Sequence, residues 1–458
     1  MSNKLFSNLP LEQAMLDNLE NMGYTEMTAI QEKSLPLTLA GEDIIAKAKT
    51  GSGKTAAFGL GMLHKLDVKK WKIQALIMCP TRELADQVAN ELRKLARFKH
   101  NIKILTLCGG MPLTPQRISL EHGAHIIVGT PGRIQDHIGK DTLDLSHVNT
   151  LILDEADRML DMGFLDDIKQ IISHMPRNRQ TMLFSATYPD EIGFLSKSIM
   201  NNPKKVSVES DEAKPNIEQT FYKTSESEKD ADLLKLLLHH QATSTIIFCN
   251  MKVTCDEVSD YLNDMGLYAL ALHGDLEQRE RTEVLALFSN GSASVLVATD
   301  VAARGLDIKD LDLVVNYEIP NQSEVYVHRI GRTGRAGKSG VADTLYTPRE
   351  ASKIDEVEDE TGEGVTYGDI TKLQHNDIYA PKYTTLKIDG GKKDKLRPGD
   401  IVGAITSTKQ VKGDEIGNIN VTAIRSYVAV ERDKAKTAFH LIRDGKMKNR
   451  KFRVHLLD

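Results

Sequence analysis

Residues 43–66 read "DIIAKAKTGSGKTAAFGLGMLHKL", and this stretch decides the fold class. A short apolar strand leads into a loop of small residues, and a helical pattern follows at once. Backbone N–H groups in such a loop can wrap around phosphates at a helix N-terminus, where the dipole favours anions. Ala48 stands where the general phosphate-loop pattern has its first glycine, and because alanine is small the match weakens only slightly. The stretch therefore predicts a nucleotide-binding α/β domain.

Short apolar runs alternate with helical patterns through most of the chain, which predicts parallel sheets flanked by helices. The runs fall in two series, which cover residues 43–46, 74–79, 124–129, 150–154 and 180–184, and then 244–249, 267–272, 294–298, 311–317 and 341–346. The pattern breaks in "SVESDEAKPNIEQT" (207–220) and again from the acidic "EVEDETGEGV" (356–365) to about residue 380. We expect two tandem α/β domains and a third domain, with the bounds 1–207, 217–370 and 380–458.

The third domain differs from the others in charge and in element order. From Ala380 to Asp458 the chain has 18 Lys and Arg against 9 Asp and Glu, a net charge of +9, whereas the remaining residues have 41 against 55. Its pattern predicts the order β-α-β-β-α-β, which RNA-recognition modules share with many unrelated proteins. The charge favours a polyanionic ligand, and a solvated lysine-rich surface is the alternative.

The composition favours a globular protein in a reducing compartment. The chain has 458 residues, of which 40% are hydrophobic, enough to fill the cores of about three domains. Its four cysteines form no C-x-x-C pair, which argues against a disulfide framework or a zinc site. The N-terminus lacks the pattern of a signal peptide, and no apolar run approaches the roughly 20 residues of a membrane span. We expect a cytoplasmic protein with no membrane contact.

Three carboxylates follow the apolar run in "VNTLILDEADRML" (148–160). Asp154, Glu155 and Asp157 would repel one another at this spacing, so we expect a partner cation. Asp157 needs a partner of its own, and several remain open. Helix-capping acids without a ligand are the alternative.

The phosphate loop upstream makes nucleotide-bound Mg²⁺ the expected cation. In this arrangement Lys54 reaches the β- and γ-phosphates, while Thr55 and Asp154 hold Mg²⁺. Glu155, beside Asp154, can accept a proton from the attacking water. The sequence thus predicts ATP and Mg²⁺ as cofactors.

The second α/β domain has no lysine-bearing phosphate loop but carries "YVHRIGRTGRAG" (326–337), with Arg329, Arg332 and Arg335 three residues apart. If the two domains close on one nucleotide, such arginines can stabilise charge on the γ-phosphate, an effect of about 10³ to 10⁵ in rate. A basic surface patch for nucleic acid is the alternative.

Nine motifs occur in the order and spacing of the DEAD-box ATP-dependent RNA helicases, which the chain resembles over roughly residues 1–370. They are "GYTEMTAIQ" (23–31), "AKTGSGKT" (48–55), "PTRELA" (80–85), "GG" (109–110), "TPGR" (130–133), "DEAD" (154–157), "SAT" (185–187), "ATDVAARGLD" (298–307) and "HRIGRTGR" (328–335). With its basic tail the whole chain resembles the DbpA type of that family. The resemblance implies an α/β fold of two tandem RecA-like parallel-sheet domains plus a small C-terminal α+β RNA-recognition-like domain.

The resemblance also assigns roles in the nucleotide site. It gives adenine recognition to Thr28 and Gln31, and the link between the ATP site and the domain interface to Ser185 and Thr187. The catalytic set that it implies is Lys54, Glu155, Arg332 and Arg335, the last two as arginine fingers. The cofactor-binding set is Phe6, Tyr24, Thr28, Gln31, Thr50, Gly51, Ser52, Gly53, Lys54, Thr55 and Asp307, with Phe6 and Tyr24 near the base and Asp307 at the ribose.

RNA contacts implied by the resemblance should position a strand through phosphate and 2′-hydroxyl groups without reading bases. The expected residues are Thr81, Arg82, Gly110, Thr130, Gly132 and Arg133 in the first domain and Gln278, Arg281 and Thr299 in the second. In the third domain, Tyr427 stands where RNA-recognition modules carry several stacking aromatics. We therefore expect the basic clusters at 390–397 and 443–453 to contact phosphates instead. The residues singled out there are Lys446, Lys448, Arg450 and Lys451.

The sequence thus predicts an RNA-dependent ATPase and ATP-dependent RNA helicase that acts as a monomer. By resemblance, its partners are a hairpin and adjacent duplex of large-subunit ribosomal RNA within a pre-ribosomal particle during ribosome assembly. An ATP-gated RNA clamp or scaffold without productive unwinding is one alternative, and a measurement of RNA-stimulated phosphate release would distinguish it from an active helicase. A translocating DNA helicase is another, and a comparison of RNA with DNA as activator would distinguish it from an RNA helicase.

Overall fold

The structure is a computed structural model that describes residues 4–48, 51–188, 190–208, 216–303, 311–334, 339–362 and 364–457. The described residues form two compact units. The first unit holds the described residues up to 208, and the second holds those from 216 onward. Within the described residues, no helix is both long enough and apolar enough to cross a membrane.

The first unit is a parallel sheet between two layers of helices. In the described part its strands are Ile44–Lys47 (β1), Ala75–Met78 (β2), Ile104–Leu107 (β3), Ile126–Gly129 (β4), Thr150–Asp154 (β5), Gln180–Ser185 (β6) and Lys204–Ser207 (β7). The helices are Gln13–Asn21 (α1), Ala29–Ala40 (α2), Lys54–Lys65 (α3), Arg82–Leu95 (α4), Leu113–Glu121 (α5), Pro131–Ile138 (α6), Ala156–Asp161 (α7), Leu165–Ser173 (α8) and Asp190–Ile199 (α9).

Strand residues of the first unit alternate between two cores, which is why the strands read as continuous apolar runs. Ile44 and Ala46 face the core that includes residues of α2, α3 and α4, whereas Ile45 faces the core that includes residues of α6, α8 and α9. The strand order is β3-β4-β2-β5-β6-β1-β7. Because all pairs are parallel, the carboxyl ends of the strands meet at one edge, where ligands of such sheets bind.

The second unit begins with another parallel sheet, in the order β10-β11-β9-β12-β13-β8-β14. In the residues that the structure describes, its strands are Ile217–Lys223 (β8), Thr245–Cys249 (β9), Ala269–Leu272 (β10), Val295–Thr299 (β11), Leu313–Asn316 (β12), Gly340–Tyr346 (β13) and Thr366–Gly368 (β14). The helices are Lys229–His240 (α10), Lys252–Asp264 (α11), Gln278–Ser289 (α12), Asp300–Ala303 (α13), Ser323–Ile330 (α14) and Ser352–Thr361 (α15). Residues 356–361 of the acidic segment are thus part of α15, and strand β14 follows before the chain leaves the sheet.

The third domain also belongs to the second unit and has an antiparallel sheet in the order β16-β17-β15-β18. Its elements run β-α-β-β-α-β, namely Tyr383–Ile388 (β15), Pro398–Thr406 (α16), Ile416–Val421 (β16), Ser426–Glu431 (β17), Ala435–Asp444 (α17) and Val454–Leu457 (β18). Apolar side chains of the sheet and of both helices share one core. The predicted fold class, two tandem RecA-like parallel-sheet domains and a small α+β domain, is confirmed.

Four strands of the two parallel sheets were not predicted, namely β3, β7, β8 and β14. They lie at or next to sheet edges, where one side of the strand has no partner or only a short one. In β8 and β14 the pattern is interrupted by exposed polar and aromatic residues rather than being continuously apolar. Apolar continuity, the signal that identified the central strands, is therefore weakest here.

A first prediction concerns Gly129, at the carboxyl end of β4. A Cβ atom there would meet the backbone carbonyl oxygen of Leu107 on β3 well inside van der Waals contact. We expect Gly129→Ala to lower the free energy of unfolding by about 1–3 kcal/mol, because a backbone carbonyl of the sheet cannot move aside cheaply. Thermal unfolding of the full chain measures this effect. Gly193→Ala on α9, where an added Cβ meets nothing within 4 Å, is the matched control and should be neutral or slightly stabilising; equal unfolding temperatures for the two variants would contradict the packing argument.

Candidate functional site

The phosphate loop lies between β1 and α3, and its described residues are held in a conformation that depends on glycine. Gly51 and Gly53 have φ angles of +88° and +91°, which side chains rarely adopt. A Cβ on Gly53 would lie 2.5 Å from Nε2 of Gln31. Lys54 is the first residue of α3 and is buried, with its Nζ 3.8 Å from Oδ1 of Asp154. Thr55 follows it and is half-buried, whereas Thr50 lies outside the described residues.

Helix α2 packs its first turn against this loop. The backbone N–H of Thr28 donates to Oε1 of Gln31 (2.9 Å), and the Thr28 hydroxyl donates to the carbonyl oxygen of Ser52 (2.7 Å). Nε2 of Gln31 donates to the carbonyl oxygen of Gly53 (3.1 Å). Both ends of the Gln31 amide are therefore engaged within the protein, and its role at adenine stays a prediction.

Phe6 and Tyr24 lie next to each other, and their place near the base stays a prediction. Their rings make an edge-to-face contact with centroids 6.1 Å apart. The Tyr24 hydroxyl donates to Oε1 of Glu91 at 2.9 Å. Burial and this carboxylate raise the pKa of Tyr24 far above its ordinary value. Phe6 itself is almost fully buried.

Asp154 ends β5, and β6 lies between β5 and β1, so its carboxylate reaches the phosphate loop. Burial, opposed by Lys54 and reinforced by Glu155, raises the pKa of Asp154 to about 6. A carboxylate in this setting is well placed for a cation, which would restore its charged form. Within the described residues no group of three or more His, Cys, Asp or Glu could hold a metal alone. Mg²⁺ in proteins usually takes one or two carboxylates together with phosphates and water, and its binding at Asp154 stays a prediction.

Glu155 adopts a left-handed backbone conformation, with φ 53° and ψ 53°, where helix α7 begins. A non-glycine residue in this region costs about 1–3 kcal/mol and persists only where surrounding contacts determine it. Its N–H donates to Oδ1 of Asp154 (3.1 Å), and its Oε2 lies 3.5 Å from Nε of Arg158, both side chains being buried. The strain is consistent with a functional constraint on Glu155.

Asp157 finds its partners on the neighbouring strand end rather than at a cation. One carboxylate oxygen accepts hydrogen bonds from the N–H groups of Ala186 (3.1 Å) and Thr187 (2.9 Å) and from the Thr187 hydroxyl (2.9 Å). Burial by itself raises the pKa of Asp157, but the hydrogen bonds from Thr187 and Ser185, together with the charge of Arg158, lower the pKa below its ordinary value. The residues after β5 and β6 are thus tied together, which the sequence left open.

The predicted RNA contacts of the first domain lie along the other half of the same sheet edge, after β2, β3 and β4. Thr81 caps α4 by accepting the N–H of Leu84 (3.3 Å), and Arg82 begins that helix. Gly110 has a positive φ of 73° after β3. Thr130 precedes α6, and Gly132 in its first turn has open space beside it. The sheet therefore brings these residues to one edge.

Arg133 has structural partners that the motif did not indicate. Its Nη1 donates to the carbonyl oxygen of Met111 (2.9 Å) and to Oε1 of Gln116 (3.0 Å), and its Nε lies 3.3 Å from Asp136. Gln116 also donates to the carbonyl oxygen of Cys108 (3.0 Å). Arg133 thus helps to hold the segment after β3 against α6, and its contact with RNA stays a prediction. Sequence reasoning missed Gln116, which lies outside the motifs.

Arg329 in the second domain is fully buried and makes five hydrogen bonds within that domain. Nε and Nη2 donate to the two carboxylate oxygens of Asp300, each at 2.7 Å. The other N–H groups donate to the Glu318 carbonyl oxygen (2.7 Å) and to Oδ1 of Asn250 (2.8 Å) and Asn316 (3.3 Å). The guanidinium lies over the Phe248 ring. Of the three arginines spaced three residues apart, Arg329 therefore serves the domain itself.

The other predicted nucleotide residues of this domain are placed only in part. Arg332 follows α14 and is buried, with its carbonyl oxygen accepting the N–H of Leu311 (3.2 Å). Asp307 and Arg335 lie outside the described residues. The residues that surround Arg329 were missed as a group because they come after three different strands; they are Asn250 after β9, Asp300 after β11 and Glu318 after β12.

The predicted RNA residues of the second domain lie near the carboxyl ends of β10 and β11. Arg281 on α12 is buried and donates to the carbonyl oxygens of His273 (3.2 Å) and Ala302 (3.5 Å). Gln278 begins the same helix, and Thr299 ends β11. Arg281 thus joins the segments after β10 and β11, and its contact with RNA stays a prediction.

The predicted basic residues of the third domain are exposed on a tight turn. Lys448 and Asn449 have φ angles of 51° and 62°, and Met447 and Arg450 exchange backbone hydrogen bonds across them. This is the pattern of a type I′ turn. The Lys448 ammonium contacts Asp400 (3.1 Å) and the carbonyl oxygen of Lys395, so this turn lies against the segment after β15. The exposed basic residues of these two segments, named here the basic cluster, are Lys392, Lys393, Lys395, Arg397, Lys446, Lys448, Arg450 and Lys451.

Three family models match the chain, one for each domain. They are described as DEAD/DEAH box helicase over residues 28–194, helicase conserved C-terminal domain over 228–337, and DbpA RNA binding domain over 385–456. The chain is 51% identical over 447 residues to the ATP-dependent RNA helicase DbpA of Escherichia coli K12, with 98% of each chain covered. It is 48% identical over 355 residues to the DEAD-box ATP-dependent RNA helicase CshA of Geobacillus kaustophilus, covering 77% of this chain and 76% of that protein.

A solved structure, S. cerevisiae Dbp5 bound to RNA and ADP BeF3, is similar in fold as well. The two chains are 32% identical with a TM-score of 0.73, over 80% of this chain and 96% of that one.

A second prediction tests the structural role of Arg329. Arg329→Lys keeps a positive charge but cannot form the bidentate ion pair with Asp300. We therefore expect the free energy of unfolding to fall by about 3 kcal/mol or more. Thermal unfolding measures the loss of stability. ATPase activity is measured separately, at a temperature well below the unfolding temperature of each protein. Activity should fall only as far as the folded fraction falls. Arg349→Lys, on an exposed arginine of the same domain, is the control; loss of ATPase activity at an unchanged unfolding temperature would instead indicate a direct role at the nucleotide.

Proposed function

Because this chain belongs to the DEAD-box ATP-dependent RNA helicases and is of the DbpA type, we propose that it remodels large-subunit ribosomal RNA during ribosome assembly. The observation that carries this proposal is the exposed basic cluster, on a domain that matches the DbpA RNA-binding model over residues 385–456. Its charges suit phosphate groups, and the domain is joined to a complete pair of helicase domains.

We propose that ATP is hydrolysed at the edge where β1, β5 and β6 end. Lys54 holds the β- and γ-phosphates, Glu155 accepts a proton from the attacking water, and Arg332 and Arg335 supply positive charge from the second domain. The 3.8 Å approach of Lys54 to Asp154 supports this arrangement. Mg²⁺, held by Thr55 and Asp154 together with phosphates, would neutralise charge on the nucleotide. The base is contacted by Thr28, Gln31, Phe6 and Tyr24, and the ribose is contacted by Asp307.

We propose that an RNA strand lies along the remaining strand ends of both sheets. In the first sheet the residues after β2, β3 and β4 are contiguous at one edge, which supports a continuous path beside the nucleotide. Both ligands then favour a closed arrangement of the two domains, so each tightens the binding of the other. Closure bends the strand and melts a short duplex, and hydrolysis allows reopening.

The third domain, in this proposal, delivers a monomeric enzyme to a ribosomal RNA hairpin and its adjacent duplex in a pre-ribosomal particle. The basic cluster contacts phosphates, which agrees with the absence of stacking aromatics in the sequence of β17 beyond Tyr427. The four cysteines are all unpaired and buried, which supports a reducing, cytoplasmic place of action.

An ATP-gated clamp without hydrolysis receives less support from the site. Glu155 is present and buried, and its N–H donates to Oδ1 of Asp154; a clamp would not need a base there. The DNA helicase alternative is disfavoured by the match to the DbpA RNA-binding model.

A third prediction concerns Glu155→Gln, which keeps the shape of the side chain but removes the base. We expect ATP hydrolysis to fall by about 10² to 10⁴, while RNA binds more tightly with ATP than with ADP because the closed state accumulates. Phosphate release and RNA affinity in each nucleotide check the two parts. Glu20→Gln, exposed on α1, is the control. Equal RNA affinity in ATP and in ADP would contradict the closure mechanism.

A fourth prediction concerns the charges of the basic cluster. Replacing Lys446, Lys448, Arg450 and Lys451 with glutamine should erase the preference for ribosomal RNA as activator and flatten the salt dependence of binding, by about 0.7 to 0.9 in slope per lost phosphate contact. ATPase activation by ribosomal and unrelated RNA, over a range of salt concentrations, measures both effects.

The matched control removes four charges from the same domain outside the cluster, at Lys409, Lys412, Lys434 and Lys436. An equal loss of preference in this control would show that net charge, rather than the basic cluster, selects the RNA.

A further inference from the structure

The single tryptophan of the chain, Trp71, lies at the edge of the first sheet opposite to the proposed nucleotide site. It is 53% exposed, in the loop between α3 and β2, and comes four residues before Ala75, where β2 begins. His125, whose ring contacts the indole, comes directly before β4. Because β2 and β4 are parallel, both residues lie at the amino ends of their strands. A strand of four residues such as β2 spans about 13 Å, so Trp71 is well separated from the residues at the carboxyl ends.

One side of the indole ring is held in place by its neighbours. The ring centroids of Trp71 and His125 are 4.8 Å apart. His125 is fully buried; its Nδ1 accepts the N–H of Lys103 (3.1 Å), so its Nε2 carries a proton and donates to the carbonyl oxygen of Val68 (3.1 Å). Gly123 lies against the same ring, since a Cβ added there would be 3.5 Å from Cε3 of Trp71. The indole is therefore fixed on one side and open to solvent on the other.

The loop that carries Trp71 is fixed by hydrogen bonds as well. The buried side chain of Gln74 accepts the N–H of Asp67 at Oε1 (3.0 Å). Its Nε2 donates to the carbonyl oxygens of Asp67 (2.8 Å) and Lys70 (3.0 Å). A carboxylate oxygen of Asp67 also accepts the N–H of Lys69 (3.0 Å). An exposed ring on such an ordered loop loses little conformational freedom when it binds a ligand.

Positive charge flanks the exposed ring, because the loop reads "KKWK" at residues 69–72. Lys69, Lys70 and Lys72 are all exposed. Lys72 lies 3.9 Å from Asp144, and an ion pair between exposed side chains contributes little. Within the part of the chain that the structure describes, neither Lys69 nor Lys70 has an ion-pair partner. This basic stretch stands out, since the two helicase domains together carry more acidic than basic residues.

An aromatic ring with one open side, next to unpaired lysines, suits single-stranded nucleic acid. Bases of any kind stack on aromatic side chains, while positive charges beside the ring attract the backbone. A docking face for an apolar protein partner needs a larger exposed apolar patch. Val68 and Ile73, the other apolar residues of this loop, are partly buried. RNA is therefore the ligand that the surface of this helicase fits.

We propose that Trp71, Lys69 and Lys70 form a second RNA site, on which an unpaired base stacks whatever its identity. The site goes beyond the proposed function, because it requires neither ATP nor the basic cluster. It lies at the amino ends of the strands, so it binds RNA outside the segment that the carboxyl ends hold. A long single-stranded RNA then contacts both edges of the first sheet, whereas a short one contacts a single edge.

Tryptophan fluorescence of the full-length protein reports on this site, because the chain has one tryptophan. A single-stranded oligoadenylate, added without ATP, should quench the emission of Trp71 by stacking, and the quenching should saturate. Inorganic polyphosphate carries similar charge without bases and should leave the emission unchanged. Equal quenching by polyphosphate, or no quenching by oligoadenylate, would overturn the stacking site.

Removal of the two lysines separates stacking from an indirect change at Trp71. Lys69→Gln/Lys70→Gln should raise the oligoadenylate concentration for half-maximal quenching and flatten its salt dependence, by about 0.7 in slope per lost phosphate contact. The matched control, Lys169→Gln/Lys204→Gln, removes two exposed lysines of the same domain and should change neither quantity. An unchanged midpoint and slope in the first variant would show that RNA bound elsewhere alters Trp71 indirectly, and would overturn the proposal.

The length dependence of ATPase activation tests the site in the working enzyme. Trp71→Ala should raise the concentration of long single-stranded RNA for half-maximal activation by about 5- to 100-fold. The maximal rate should not change, because Trp71 lies away from the proposed nucleotide edge. Trp71→Phe keeps a ring against His125 and should retain most of the affinity for long RNA.

RNA just long enough for the proposed strand path is the control, and it should activate Trp71→Ala and the wild type alike. An equal loss for long and short RNA would indicate a general defect of the domain and would overturn the second site. Neither measurement uses a preference for ribosomal RNA. The absence of that preference would therefore contradict the proposed function alone, while fluorescence quenching would still decide the site at Trp71.

Discussion

The chemistry of this protein depends on one constraint, that every strand of each large sheet runs in the same direction. Parallel strands end at a common edge, so loops that are distant in sequence meet there. In the first sheet the adjacency of β5, β6 and β1 brings Asp154, Thr187 and Lys54 together, while β2, β4 and β3 supply the proposed strand path. The proposed nucleotide site and the proposed RNA site are thus two halves of one edge, and a change in strand order would separate them.

The pKa values of the carboxylates at this edge depend on burial as much as on ion pairs and hydrogen bonds. Asp154 and Asp157 are three residues apart and both buried, yet their pKa values shift in opposite directions. Asp157 accepts three hydrogen bonds from the neighbouring strand end, whereas Asp154 has one N–H donor and a lysine 3.8 Å away. One carboxylate is therefore satisfied by the protein and serves as a structural tie. The other retains the capacity to bind a cation.

The sequence predicted the central strands, the phosphate loop and the three-domain order, because these follow from local periodicity and from motifs with a fixed spacing. It could not predict what each motif residue contacts, since those contacts come from other strands. Arg329 looked equivalent to Arg332 and Arg335, but it donates to acceptors at the ends of three different strands, namely Asn250, Asp300, Asn316 and Glu318. The edge strands β3, β7, β8 and β14 were missed because their burial is incomplete or their runs are short.

On the face of the third domain's sheet that lies away from its own helices, Thr385, Tyr427 and Ala429 of the two central strands are buried. This burial limits how freely that domain can be exchanged between proteins. Lys387 and Arg425 face Glu283 of α12, at 2.9 and 4.0 Å. On a helicase whose α12 lacks an acid at that place, they would face a surface without a countercharge. Thr385 would also lose its hydrogen-bond partners Ser292 and Asn290. Swaps between relatives should therefore succeed as α12-plus-domain pairs, and the domain is a poor cassette on its own.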